Sequence, residues 1–249
     1  TDASPRCCEP FLLPPHRTLP ASSATGENTY DIPAPNRTVM DAAQYRLDNL
    51  AKPIHSLGFL EHIAVQLAGI TGKIRLPSNS RAALCLLSGG EELPAERHAI
   101  ISAMTAARDI DVYLFPTAME NAECHAAMHA VAADHPLLII GSMGSDAPAV
   151  RTALCAAAEG GALVLPGDAA TDHIVREYCV ISPALTHYVL HLLPEMITAE
   201  IDAPAGIVGI LGLEIVHAAL HIMNDMKTFT EAKVAVAIDG AGAGRQVRE

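Results

Sequence analysis

Two groups of residues in this chain stand at spacings on which chemistry could be built. The segment Gly141-Ser142-Met143-Gly144-Ser145-Asp146 follows a short apolar run and precedes an alanine-rich stretch. A glycine-bearing turn entering a helix presents backbone N–H groups beside the positive end of the helix dipole, which suits an anion such as a phosphate; the same glycines also suit a plain tight turn. The segment lacks the third glycine of a dinucleotide-binding fingerprint and the Gly-Lys-Ser/Thr ending of a P-loop. Histidines stand four apart in three pairs, His125/His129, His187/His191 and His217/His221. On a helix that spacing puts two imidazoles on one face, but a closed metal centre takes three or four ligands and no pair encloses a glutamate. No metal and no cofactor are therefore expected. A serine hydrolase would need a Gly-x-Ser-x-Gly elbow, which is absent, and Cys124 and His125 are neighbours that point apart on a helix.

The elements that must position these residues alternate. Residues 82–87, 111–115, 137–140, 162–165 and 178–181 read as short buried strands, and residues 95–107, 119–133, 147–158 and 170–177 as helices between them. Such alternation implies right-handed crossovers and a parallel sheet with helices on both faces, an α/β fold. Ligands bind such sheets outside the carboxyl ends of the strands, which fall at Ser88-Gly89-Gly90, Pro116-Thr117, Gly141 to Gly144, Pro166-Gly167-Asp168 and Ser182-Pro183. Helical spacing begins at Met40, with Leu57, Leu60, Ile63, Ala64, Leu67 and Ile70 on one face and an end near 69–72; two further helices are expected at 184–193 and about 205–226.

Residues 1–40 hold seven of the seventeen prolines and no sustained period, so they read as an extended or disordered arm. Residues 240–244 read as a frayed end within a flexible 235–249 tail. The formal charge of -12, with 16 basic residues and no basic cluster, argues against a nucleic-acid surface. Six scattered cysteines fit reduced core thiols better than a disulfide framework. Apolar runs such as 207–213 look too short or too glycine-broken to cross a bilayer. A soluble, cytoplasmic protein is expected.

Two long segments carry a family resemblance. Leu47-Asp48-Asn49-Leu50-Ala51-Lys52-Pro53, continuing through Ser56 to Glu61 and Ala64 to Ile70, resembles the amino-terminal signature of the nicotinate-nucleotide:dimethylbenzimidazole phosphoribosyltransferases. His217 to Ala232, ending Met226-Lys227-Thr228-Phe229-Thr230-Glu231-Ala232, is similar to that family's closing helix and tail. Shorter similarities at Thr117 to Met119, Gly141 to Gly144, and Gly167 with Asp168 lie between them in family order. The resemblance implies a Rossmann-like sheet domain over 76–204, a small helical domain made from 41–75 with 205–234, and a homodimer. It also implies transfer of phosphoribose from nicotinate mononucleotide to a benzimidazole, giving the lower ligand of cobamides. The phosphate and ribose would lie on Gly141, Ser142, Met143, Gly144 and Ser145, and the base near Ser88, Gly89, Gly167 and Asp168.

The chain also departs from the family. Ala203 stands where the family carries its general-base glutamate, leaving Asp202 and Glu200 as candidate substitutes. Gly141-Ser142-Met143-Gly144-Ser145-Asp146-Ala147 replaces Gly-Glu-Met-Gly-Ile-Gly-Asn, Ser88-Gly89-Gly90 replaces Asp-His-Gly, and a block is missing between Phe115 and Thr117. Impaired or altered catalysis is the expectation, and the alternative is a silent paralogue that pairs with an active subunit or binds a metabolite.

Overall fold

The run Ala82–Ser88 is apolar up to its last residue, and a strand of that composition needs cover on both faces. In the computed structural model, which describes residues 30–88, 95–116, 121–143, 147–191 and 206–234, this run is β1 and all seven residues are buried. It lies between β2 (Ile110–Pro116) and β3 (Leu137–Met143), and β4 (Leu163–Pro166) continues the sheet in the order β2-β1-β3-β4. Every pairing is parallel: Ser88 stands opposite both Pro116 and Met143, and Ile140 opposite Pro166. The crossovers are α3 (Ala95–Ala106), α4 (Asn121–Asp134) and α5 (Ala147–Glu159), and α6 (Ala169–Ile181) follows β4.

Side chains of a strand alternate between faces, and each face has its own core. Ala82, Leu84, Leu86, Leu137, Ile139, Leu163 and Leu165 join one apolar cluster with Leu47 of α1 (Arg37–Asp48), Ile63 and Leu67 of α2 (Phe59–Thr71), and Ile210, Leu213 and Val216 of α7 (Ile207–Asp225). Ala83, Cys85, Leu87, Leu138, Ile140 and Val164 join the other with Met128 of α4, Val150 and Leu154 of α5, and Val175 of α6. The chain ends are stitched together. Ala51 N–H donates to the Lys227 carbonyl at 2.9 Å and Phe229 N–H to the Asn49 carbonyl at 3.0 Å, beside an antiparallel bridge between Leu50 and Thr228. The short α8 (Phe229–Ala232) follows, with Thr228 and Glu231 forming a reciprocal capping box.

Several sequence expectations are corrected. Residues 178–181 are the last turn of α6, not a strand. Of the helix expected over 184–193, the described residues 184–191 do not form an α-helix: Pro183–Tyr188 is a 3-10 turn, after which Val189 bridges Val164 in parallel and Leu190 N–H donates to the Val164 carbonyl at 2.9 Å. The place beyond β4 is thus taken by Val189, well after the expected strand, because the capped α6 runs on through the β-branched residues. Helical structure begins at Arg37, capped by Asn36, and residues 30–35 lie against the fold, with the Tyr188 hydroxyl donating to the Pro33 carbonyl at 2.7 Å. Residues 1–29 and 235–249 lie outside the described residues. The apolar run that begins at Ile207 extends through α7 to Asp225, which makes it, among the described residues, the one helix long and apolar enough to cross a membrane; half of that stretch is buried within the fold.

Candidate functional site at the carboxyl edge of the sheet

The carboxyl ends of β3 and β4 meet the starts of α6 and α7 with little space between backbones. Gly167 N–H donates to the Ile140 carbonyl at 2.7 Å, and Gly209 N–H approaches the Gly167 carbonyl at 3.4 Å. A methyl group on Gly167 would lie 2.5 Å from Gly206 Cα and 3.1 Å from Gly141 Cα. Gly206 enters α7 at φ 87, a left-handed conformation that glycine adopts without a side-chain clash. Glycine at 167 and 206 is therefore what lets two loops and a helix start come together.

Asp168 organises this edge. It caps α6, its Oδ1 accepting from Thr171 N–H at 2.8 Å, and its Oδ2 accepts from Ser142 N–H at 3.2 Å. The residue is 7% exposed; its bond to Thr171 is buried and that to Ser142 part-buried. The structure thus brings together Gly141, Ser142, Gly167 and Asp168, with Ser88 and Met143 paired in register one strand away. Gly141 is buried, while Ser142 and Met143 are half-buried, and Met143 packs against the apolar cluster of α1, α2 and α7. Gly89, Gly144, Ser145, Glu200, Asp202 and Ala203 lie outside the described residues.

A second polar group borders α6 and was missed in the sequence. Asp172, 6% exposed, accepts from Arg176 Nε at 2.6 Å and lies 2.7 Å from His191 Nδ1. Burial alone pushes this carboxyl up, but the hydrogen bonds and charges of His191 and Arg176 reverse that and hold it below the usual carboxylate range. The Asp172/Arg176 spacing of four is legible as a helical ion pair; the arrival of His191 depends on the path after the 3-10 turn, which is not. His125 stacks on Tyr30 at 5.4 Å and lies 2.9 Å from Glu159 Oε2, and His221 faces Asp225 at 2.6 Å. Burial holds half-buried His217 of α7 below its ordinary value.

Comparison with known proteins gives the chain relatives. Residues 32–108 match a family model described as phosphoribosyltransferase. That stretch is similar to nicotinate-nucleotide–dimethylbenzimidazole phosphoribosyltransferases. The nicotinate-nucleotide–dimethylbenzimidazole phosphoribosyltransferase of Clostridium tetani is 48% identical over 50 residues, 20% of this chain and 14% of that protein. The protein of the same name from Desulforamulus reducens is 43% identical over 65 residues, 26% of this chain and 18% of its own length. The chain therefore matches well under a fifth of these relatives' lengths. In fold, the crystal structure of this phosphoribosyltransferase from Thermus thermophilus superposes with a TM-score of 0.57 at 18% identity, covering 81% of this chain and 100% of that one. The α/β architecture expected from the alternation of strands and helices is thus the fold shared with that solved structure.

Proposed function

We propose that the chain binds a phosphoribosyl donor of the nicotinate mononucleotide kind at the carboxyl edge of the sheet and passes its phosphoribosyl group, slowly, to a flat base such as dimethylbenzimidazole. The observation that carries this reading is the family match over residues 32–108. The convergence of Gly141, Ser142, Gly167 and the α6 start at the carboxyl ends of the strands supports it, since ligands of parallel sheets bind outside those ends.

In the proposed reaction a ring nitrogen of the acceptor attacks C1′ of the ribose. The bond from C1′ to the nicotinate nitrogen breaks and its electron pair stays with nicotinate, while the acceptor's N–H proton leaves to a base. Ala203 offers no such base, and losing a positioned one costs about 10²–10⁴ in rate. Asp202 and Glu200 are the proposed substitutes. The phosphate would meet Ser142 and Gly144 to Ser145, and the flat base Ser88, Gly89 and Gly167. Asp168 stands on the Ser142 N–H, so donor phosphate must displace that carboxylate or bind beside it. We further propose a cytoplasmic dimer; buried thiols at Cys85, Cys124 and Cys155 fit a reducing compartment.

The test is to incubate the purified chain with nicotinate mononucleotide and dimethylbenzimidazole and follow both products by mass spectrometry. Slow formation of nicotinate and ribazole phosphate, accelerated at least tenfold by Ala203→Glu, is the expected result. Neither product nor donor binding, with a panel of aromatic bases, overturns it. A second reading rests on Ala203 alone: a silent paralogue that binds the donor and partners an active subunit, shown by calorimetric donor binding without turnover in both forms.

A further inference from the structure

We propose that the turn joining α1 to α2 is a binding site for one divalent transition-metal ion of the zinc type, held by Asp48, His55 and Glu61. These residues lie on elements separate from the strand ends, and the inference stands apart from the proposed transferase reaction.

Asp48 is the last residue of α1, His55 lies in the turn, and Glu61 is in the first turn of α2. Each contributes one ligand atom, and all three atoms lie within 4.8 Å of one another. Among the described residues this is the one grouping of three such side chains. The second observation comes from Glu61. Its side chain is 5% exposed, and its Oε1 accepts from Lys52 Nζ at 2.8 Å and from Leu57 N–H at 3.1 Å. Oε2 accepts no hydrogen bond although it is shielded from solvent, and it lies 3.7 Å from His55 Nδ1. A buried carboxylate oxygen without a donor is costly, and a bound ion is one of the recognised ways such an atom is satisfied.

Charge and geometry agree with an ion there. Asp48 and Glu61 bring two negative charges and Lys52 returns one positive, so the pocket keeps a net negative charge for a cation. One imidazole nitrogen and two carboxylate oxygens suit zinc, cobalt or manganese, whereas magnesium and calcium favour oxygen alone. Ligand bonds of about 2.0–2.2 Å draw the donor atoms closer than they stand here. His55 can make that movement, being 71% exposed on an open turn with Oε2 already facing it. Lys52 does not compete for the same atom, because it holds Oε1.

The full chain, stripped with a chelator, is titrated with Co²⁺ while visible absorption is recorded, and with Zn²⁺ by calorimetry. The expected result is one ion per chain, with affinity at least tenfold weaker in His55→Ala and in Asp48→Asn. His221→Ala, altering an exposed histidine on α7, leaves it unchanged. Zn²⁺ should also raise the melting temperature of the wild type and not that of His55→Ala, whose exposed side chain is dispensable for folding. No ion retained by the wild type, affinity undiminished in His55→Ala, or an equal loss in His221→Ala would each overturn the proposal.

Discussion

Asp168 serves two elements with one carboxylate, and its two oxygens separate by substitution. Asp168→Ala removes the α6 cap and the acceptor for Ser142 together and is expected to lower unfolding free energy in urea by about 1–2 kcal/mol. Asp168→Asn keeps one oxygen for the cap and should cost less than half as much. The buried Lys52–Glu61 pair, with side chains 6% and 5% exposed, gives a steeper response. Glu61→Gln takes from the buried ammonium the carboxylate it meets at 2.8 Å and is expected to destabilise by about 3–5 kcal/mol, whereas Lys52→Met with Glu61→Leu recovers most of that loss. Acid sensitivity also belongs to single residues. Asp111 is held low chiefly by His135, which outweighs its burial with help from Arg81; Asp172, against its burial, is held low by His191 and Arg176. A carboxyl lowered in the folded state stabilises above its unfolded value, about 3.9, and that contribution is lost as pH falls through the folded value. Stability followed by circular dichroism should thus fall below about pH 4, less steeply in Asp172→Asn, while His217, held low by burial, adds stability as pH rises toward its unfolded value of about 6.5.

At the scale of elements, close approach rather than composition decides which glycines tolerate change. Gly167→Ala would press on the Gly206 backbone at 2.5 Å, forcing α7 away from the strand ends, and a loss of about 1–3 kcal/mol together with weaker donor binding is expected. Gly69→Ala meets the flexible side chain of Met40, whose Cγ lies 2.5 Å and Sδ 2.7 Å away and can rotate, and should stay within about 1 kcal/mol of wild type. Element identity was legible for β1 through α5, where apolar runs of strand length alternate with longer helical periods. It failed at Tyr178-Cys179-Val180-Ile181, whose residue types favour a strand. There the Asp168 cap and the Asp172/Arg176 pair commit the segment to a helix, and Val180 and Ile181 end 82% and 72% exposed. Propensity was overruled by the start of the helix, thirteen residues long, rather than by its end.

Across the whole molecule, the alternation of Ala82, Leu84 and Leu86 with Ala83, Cys85 and Leu87 divides the interior into two cores on opposite faces of one sheet. That division follows from strand period alone. The candidate site was legible only as separate pieces, because the Ser142–Asp168 bond joins residues 26 apart and no local spacing encodes it. Thiol labelling reads the packing directly. Burial raises Cys85 strongly and brings Cys155 up to about 12, so native Cys85, Cys124 and Cys155 should resist a thiol reagent that reacts with half-exposed Cys179, and all should label in denaturant. The stitching of Asn49 and Ala51 to Lys227 and Phe229 bears on manufacture of the chain at the ribosome. Leu47, Leu50, Ile63 and Leu67, made early, have no complete cover until α7 has been synthesised and released from the exit tunnel. Those early helices must wait on chaperones or on transient collapse for most of translation, and a message truncated before residue 206 should yield an aggregating product rather than a smaller folded one.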